Sequence, residues 1–574
     1  MDYVREYERW LTSPVLTEAE RAEVKAVSSE EERELAFGRT LEFGTAGLRS
    51  SMAMGPGRMN VYTVAHATRG IAKMIREEGG ADRGCVIGYD SRHNSELFAR
   101  VAAEVLAADG IRVYLFDGLR PTPELSFAVR RLGCAAGINI TASHNPREYN
   151  GYKAYAEDGC QLSPEAAAAV ASTMASLEIL EAVPRRPLEE AVTGGAVTML
   201  GEEFDEEYLA AVSSSLIDRE LLRRAGETLS IVYTPLHGAG RRLVPEVLSR
   251  AGLRHVYPVP EQMIPDGDFP TVVKPNPEYA EVFTLGIALA ERVGSDIVIA
   301  TDPDSDRVGV VTRTRDGGFV TISGNQMGAL LLDYVIGARR RLGTLPADAY
   351  AIKSIVSTDL VTRICERNGV RLYDVLTGFK YIGEVIKDRE ATNSERSLLL
   401  GFEESYGYLP YTDARDKDAV ATSLLIAEMT AYYEERGMTL HDALLELDQR
   451  YGIFREKTTE IYMEGLDGLE RQRRVMETLR KAPPLSLGGR RVVSIGDYRK
   501  GYFTNVETGE RTAIPQPESN VLYFITEDDD KVVIRPSGTE PKIKLYFLVH
   551  AESEAAAEEK IRALTEDTAA FSRV

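Results

Sequence analysis

No run of about 18 apolar residues occurs anywhere in the 574-residue chain, so no membrane-spanning helix is expected. The stretch Met1–Trp10 is charged and has no apolar core of the kind a secretion signal needs. Cysteine is scarce. Cys85, Cys134, Cys160 and Cys365 stand apart without CxxC spacing, which argues against a zinc site and for a reducing cytoplasm. Positive charge is in deficit: 68 lysines and arginines face 89 acidic residues, for a net charge of −21. That balance argues against nucleic acid as a partner and opposes an anionic substrate at long range. Any anion site must therefore be built from local cations or a metal. The chain also lacks GxxxxGK, GxGxxG, HExxH and GxSxG, so nucleoside triphosphate hydrolysis, zinc proteolysis and α/β-hydrolase chemistry lack their usual marks.

What is present is an ordinary globular composition, 44% apolar and 27% charged, on a chain too long for one core. Residues 1–40 read as acidic helices, with Thr17 and Glu20 placed as a capping box. From Cys85 strands and helices alternate: Cys85–Tyr89, a helix to Ala108, Arg112–Phe116, a helix opened by Pro121, then the apolar run Cys134–Ile140. Such alternation predicts a largely parallel sheet with helices on its faces. Ser163-Pro164 opens an alanine-rich helix, and 181–196, with Pro184 and Pro187, reads as a boundary. We divide the chain at 1–200, 201–320, 321–452 and 453–574. The first three units are α/β. In the fourth, strand-like runs dominate and a helix over Glu554–Leu564 closes the unit.

Four loops carry the chemistry. Thr141-Ala142-Ser143-His144-Asn145-Pro146 follows a buried strand, where open α/β sheets place ligands. Ser143 needs activation or modification to react, and His144 and Lys153 are the nearby candidates to help it. Taken alone, a solvated serine in a strand-end turn accounts for the loop equally well. The strand Asp296–Ala300 runs into Asp302-Pro303-Asp304-Ser305-Asp306-Arg307. Three carboxylates at alternate positions repel one another, and a hard divalent cation relieves that repulsion better than solvent alone. Arg307 and Arg313 stand where a calcium loop needs glycine and glutamate, which excludes that alternative. Glu403 and Ser405 are spaced to point the same way from extended backbone and suit sugar hydroxyls. Arg535, Ser537, Gly538 and Thr539 can form a phosphate nest. Earlier, Phe43-Gly44-Thr45-Ala46-Gly47-Leu48-Arg49 lets backbone approach a ligand and ends in an arginine suited to phosphate.

In that order, the Ser143 loop, Asp302–Arg307, Gly401-Phe402-Glu403-Glu404-Ser405 and Arg535–Thr539 resemble the α-D-phosphohexomutase family along the whole chain. The Phe43–Arg49 loop, Met54-Gly55-Pro56-Gly57 and Thr377-Gly378-Phe379-Lys380 resemble its phosphoglucomutase and phosphopentomutase branch. One departure is Ser50, where that branch usually has glycine after the loop arginine. The resemblance implies three similar α/β domains with mixed or parallel sheets and a C-terminal α+β domain with an antiparallel sheet. It implies a phosphoserine at Ser143, with Asp302, Asp304, Asp306 and a phosphoserine oxygen holding one Mg²⁺. Arg49, His144 and Lys153 are the expected catalytic partners, Lys153 preferred over His144 for proton transfer. Arg307, Thr377, Gly378, Lys380, Glu403 and Ser405 are expected to bind sugar, and Arg535, Ser537, Gly538 and Thr539 the distal phosphate. The implied reaction interconverts a sugar 1-phosphate and a sugar 6-phosphate through a 1,6-bisphosphate that turns over in the cleft. Glucose is the first choice of sugar, with pentose or mannose phosphates as alternatives. A metal-dependent sugar phosphatase and a non-catalytic sugar-phosphate binder are the rival classes. Sugar phosphates are the expected partners, with no nucleic acid and no membrane. The sequence leaves oligomeric state open, a monomer being slightly favoured.

Overall fold

The computed structural model describes residues 2–573 except Ala46, Asn393, 464–467, Thr539 and Glu540. Three mixed sheets follow one another along the chain. The first has six strands in the order Leu48–Ser51, Tyr149–Ala156, Ala136–Ile140, Cys85–Tyr89, Val113–Phe116, Val197–Leu200. Its last four run parallel, and the first two are antiparallel additions at one edge. The second has five strands, Phe319–Ile322, Val308–Arg313, Ile297–Thr301, Ser230–Thr234 and His255–Pro258. The third has four, Arg371–Val375, Tyr350–Ser354, Leu398–Glu403 and Gly407–Leu409. Continuous burial along Cys85–Tyr89, Ala136–Ile140 and Ile297–Thr301 matches their predominantly apolar sequence, as expected of strands covered on both faces.

The stretch 181–196 lies ahead of the last strand of the first sheet. It contains the helix Leu188–Thr193 and leads directly into Val197–Leu200, which completes the first sheet by pairing with Val113–Phe116. The prolines interrupt a connection inside the unit. Ser163 caps its helix and Thr17 and Glu20 form a reciprocal capping box, as their residue types require.

One apolar cluster runs through the first three units, from Phe127 and Tyr208 through Leu243 to Leu330, Phe402 and Leu424. Its axis is the helix Ala419–Glu434, buried on almost every side, which explains why that sequence has no polar face. The fourth unit is an antiparallel eight-stranded sheet carrying the helices Gly468–Lys481 and Glu554–Ala569. It meets the third through a separate small cluster, Ile355, Val356 and Leu376 against Tyr498, Tyr523 and Tyr546. The strand Ile453–Tyr462 connects the two units, and Gln516 Nε2 donates to the Asp374 carbonyl between them at 2.9 Å.

Candidate active site

The apolar strand Ala136–Ile140 delivers Ser143 into the cleft between the first and second sheets. Ser143 is buried and adopts a left-handed backbone, φ 54°. That region is uncommon for a residue with a Cβ and marks a conformation imposed by its surroundings. Its Oγ donates to Asp302 Oδ2 at 2.9 Å and lies 3.2 Å from His144 Nδ1. Burial, with Arg307 and Arg49 close by, pushes the His144 imidazole well below its ordinary pKa. At neutral pH it is uncharged.

Asp302, Asp304 and Asp306 bring one carboxylate oxygen each to within 4.8 Å of the others, and all three are buried. Asp302 Oδ1 takes the backbone N–H groups of Asp306 and Arg307 at 3.1 and 3.0 Å, leaving Oδ2 to face Ser143. Burial, with Asp304 and Asp306 adjacent, pushes Asp302 well above the usual carboxylate range. Burial acts in the same sense on Asp306, but Lys153, Lys417 and Arg307 outweigh it and hold that carboxyl well below the range. Lys153 donates to Asp304 Oδ2 at 2.7 Å and to Asp306 Oδ2 at 3.0 Å. Burial opposes its charge, and the two aspartates overcome that and hold its pKa up. Among the described residues Asp304 Oδ1 and Asp306 Oδ1 have no hydrogen-bond partner. Buried, unpartnered carboxylate oxygens beside each other are an oxygen-rich donor set that fits a hard divalent cation.

Arg49 is not a loop end. It lies inside the strand Leu48–Ser51, paired with Gly151, and its Nη1 donates to Asn145 Oδ1 at 3.0 Å. The glycine before this strand serves the sheet: a Cβ on Gly47, at φ 73°, would lie 1.8 Å from the Tyr152 carbonyl oxygen. Ser50 fits without disturbance, its Oγ donating to the Gly57 carbonyl at 3.1 Å.

On the sugar side, Gly378, at φ 121°, donates its N–H to Glu403 Oε1 at 2.6 Å, which joins the Thr377–Lys380 loop to Glu403. Glu403 ends the strand Leu398–Glu403, whereas Ser405 lies in the turn that follows. The expectation that both project from extended backbone is therefore wrong for Ser405. The chain reverses there because Leu398–Glu403 pairs antiparallel with Gly407–Leu409. Arg307 Nη1 donates to Glu278 Oε1 at 2.6 Å. Arg535 lies within the strand Lys531–Pro536, not in the loop after it, opposite Lys544. Burial lowers the Lys380 pKa against Glu384 and Glu165, which raise it, and the Arg535 charge adds to the lowering, so these two cations from different units share one region. Ser537 donates its N–H to the Lys542 carbonyl at 2.8 Å, and among the described residues none lies within 4 Å of a Cβ placed on Gly538. Thr539 lies outside the described residues.

Three contributors were not found from sequence. Lys417 reaches Asp306 Oδ2 at 3.2 Å and Asp416 Oδ1 at 3.0 Å, adding a second lysine to the aspartate cluster. Thr122 holds Asp304 from the first unit, through N–H to its carbonyl at 2.8 Å and through Oγ1 to Oδ2 at 2.9 Å. Arg92 donates to the carbonyls of Ser143, Asn145, Pro146 and Tyr149. The run Arg415-Asp416-Lys417-Asp418 was a visible signal, four charges leading into an apolar helix. Nothing in the sequence marked Thr122.

Four family models match in succession: phosphoglucomutase/phosphomannomutase alpha/beta/alpha domain I over residues 40–180, domain II over 206–317, domain III over 323–451, and the C-terminal domain over 504–565. The phosphoglucomutase of Staphylococcus saprophyticus is 36% identical over 528 residues, 92% of this chain and 93% of that protein. The phosphoglucomutase of Staphylococcus aureus is 36% identical over 541 residues, 93% and 94% of the two chains. The solved phosphoglucomutase pp63/parafusin from Paramecium, in an open form, shares the fold with a TM-score of 0.66 at 17% identity, covering 93% of this chain and 96% of that one.

Proposed function

The chain belongs to the phosphoglucomutase/phosphomannomutase family and is a phosphohexose mutase, and we propose that it interconverts α-D-glucose 1-phosphate and glucose 6-phosphate through a phosphorylated Ser143. The observation that carries the Ser143 assignment is the contact from its Oγ to Asp302 Oδ2, which sets a hydroxyl directly on the acidic cluster. Asp302, Asp304, Asp306 and an oxygen of phosphorylated Ser143 would hold Mg²⁺, which when bound neutralises charge on the transferring phosphoryl group.

Phosphoryl transfer is mainly positioning and neutralisation of charge. In the first half-reaction a hydroxyl oxygen of the bound sugar monophosphate forms a bond to the phosphorus on Ser143. The bond to Ser143 Oγ breaks, its electron pair stays on Oγ, and the proton lost by the sugar is restored there. His144, neutral and 3.2 Å from the unphosphorylated Oγ, can take the Oγ proton when Ser143 is rephosphorylated, and the imidazolium so formed can return that proton when Oγ departs in the first half-reaction. Lys153 remains the candidate carrier at the sugar oxygen: as the ammonium that offsets Asp304 and Asp306 it can give its proton to the sugar oxygen that departs when Ser143 is rephosphorylated, and the amine left behind can take the sugar hydroxyl proton in the first half-reaction. The bisphosphate then turns end for end and returns its other phosphate to Ser143. Glu403, fixed by the Gly378 N–H, is placed for sugar hydroxyls. Arg49 stands with the catalytic residues, and Arg307, Thr377, Gly378, Lys380 and Ser405 complete the sugar side, with Arg535, Ser537, Gly538 and Thr539 on the distal phosphate.

We also propose the division at 1–200, 201–320, 321–452 and 453–574. Four buried free cysteines support a reducing, cytoplasmic setting. The test of substrate is a parallel assay on glucose 1-phosphate, mannose 1-phosphate and ribose 1-phosphate that separates isomer from free phosphate. The highest kcat/KM is expected for glucose 1-phosphate. A higher value for another sugar overturns the choice of sugar, and free phosphate in place of isomer overturns transfer back to Ser143.

A further inference from the structure

Ser143 and the aspartates come from different units, so their relative placement must be set by something that touches both. The segment Thr141–Tyr149 has little regular structure of its own. It is held by Arg92, whose guanidinium donates through Nη2 to the Ser143 carbonyl at 2.6 Å and to the Asn145 carbonyl, and through Nη1 to the Pro146 and Tyr149 carbonyls at 2.8 and 3.1 Å. Its own charge is balanced by Asp90, 3.3 Å from Nε, and neither side chain is exposed. Asp90 holds the start of the same segment, accepting from Thr141 Oγ1 at 2.6 Å, while that hydroxyl accepts the Ser143 N–H at 2.8 Å.

The outer face of this guanidinium is covered from the second unit. Phe269 lies with its ring centre 5.0 Å from Arg92 Cζ. It is 1% exposed and has a left-handed backbone, φ 47°, which a bulky residue adopts only when its surroundings require it. The loop that carries it is fixed at its base by His237, whose ring nitrogens lie 2.9 Å from the Ile264 carbonyl and 2.8 Å from Thr271 Oγ1. His237 belongs to the exit loop of Ser230–Thr234, and two residues on, Ala239 donates its N–H to the carbonyl of Pro303, inside the aspartate loop. A continuous series of contacts thus runs from the aspartates through His237 and Phe269 to Arg92 and Ser143.

We propose that Arg92 and Phe269 are positioning residues for phosphoryl transfer, acting together to set where the Ser143 hydroxyl stands relative to Asp302, Asp304 and Asp306. This rests on Ser143 being the residue that carries phosphate. Neither side chain touches the reacting atoms. Arg92 fixes the carbonyl path on either side of Ser143, and Phe269 fixes the guanidinium in register with the second unit. A planar, five-donor guanidinium is required for this, since an ammonium cannot reach four carbonyls in that arrangement.

The test uses the full chain, with glucose 1,6-bisphosphate to phosphorylate the enzyme and glucose 1-phosphate as substrate. Phe269→Leu keeps an apolar side chain and removes the aromatic face. Phe283→Leu removes another buried ring of the second unit, outside this series, and is the control for lost stability. A misplacement of about 1 Å costs on the order of 10²-fold in rate, so Phe269→Leu should lower kcat by about tenfold and Arg92→Lys by about 10²-fold, each with KM unchanged. Phe283→Leu should lower the melting temperature as much as Phe269→Leu does and keep kcat. The proposal is overturned if Phe269→Leu retains the wild-type kcat, if KM rises in place of the fall in kcat, or if Phe283→Leu loses kcat equally. If Arg92→Lys does not fold, the Phe269 and Phe283 pair decides the matter. Turnover by the wild-type chain with no phosphate on Ser143 would count against the Ser143 assignment instead, and the two failures are distinct.

Discussion

The Lys153 ammonium donates to Asp304 Oδ2 at 2.7 Å and thereby occupies an oxygen of the same cluster that fits a metal ion. Lysine and metal share these carboxylates, and their charges oppose each other.

Lys153→Met should therefore tighten divalent-ion binding while it slows turnover. Two like charges about 4 Å apart at an effective dielectric near 20 repel by about 4 kcal/mol, enough for an affinity gain of roughly tenfold or more. Loss of a proton carrier should lower kcat by about 10²-fold or more. Calorimetric titration of the purified chain with Mg²⁺ measures the first effect. Weaker binding by the variant would contradict the shared-oxygen account.

Arg535→Ala should lower kcat/KM in both directions, from the 1-phosphate and from the 6-phosphate. A reversing bisphosphate presents either end to Ser143 while the other end occupies one fixed place. Arg535 comes from the fourth unit and shares a region with Lys380 of the third. A lost charged hydrogen bond costs about 1.5–3 kcal/mol, or roughly 10- to 100-fold in kcat/KM. Hydrolysis of phosphoserine by water should change less, since water has no distal phosphate. An unchanged kcat/KM in both directions would remove Arg535 from the phosphate site.

Much of this was readable from the chain. The strand Cys85–Tyr89 and the helix ending at Ala108 fall where the sequence puts them, and the alternate aspartates point to a shared cation site from the sequence alone. What was not readable has a common physical cause. Arg92, Thr122 and Lys417 act through partners far away in sequence, and a lone arginine or threonine carries no local pattern. The helix Gly468–Lys481 escapes a sequence reading because half of its residues are charged, although Gln472, Val475, Met476 and Leu479 form a narrow buried stripe at helical spacing. The strands Tyr502–Asn505 and Arg511–Ala513 are short, the first mostly half-buried and the second exposed, so neither shows an alternation to detect. Ser405 was misjudged because the strand before it ends at Glu403, where a turn breaks the two-residue period.

Glu124 should make stability fall as pH rises. It is fully buried, and among the described residues neither carboxyl oxygen has a hydrogen-bond partner. Burial is the main reason its pKa is pushed up to about 8. A folded-state value above the unfolded one means that the folded chain keeps a proton the unfolded chain has lost. The stability this provides is complete below the unfolded pKa, is lost by about 1.4 kcal/mol per pH unit through the interval up to about 8, and does not fall further above it. Glu124→Gln removes the ionisation. Its melting temperature should change less than that of the natural chain between pH 5 and pH 8 and should exceed it at pH 8. Parallel pH profiles for the two proteins would contradict this.

The central claim is that Ser143 carries the phosphate that is transferred. Its most direct measurement is intact-mass analysis with peptide mapping after incubation with glucose 1,6-bisphosphate, followed by a chase with glucose 1-phosphate. One phosphate should appear on the peptide containing Ser143, leave it on the chase, and be recovered in bisphosphate rather than as free phosphate. Ser143→Ala should take up none and should not turn over. Phosphate on another residue, or a Ser143→Ala variant that turns over at the rate of the natural chain, would contradict the account.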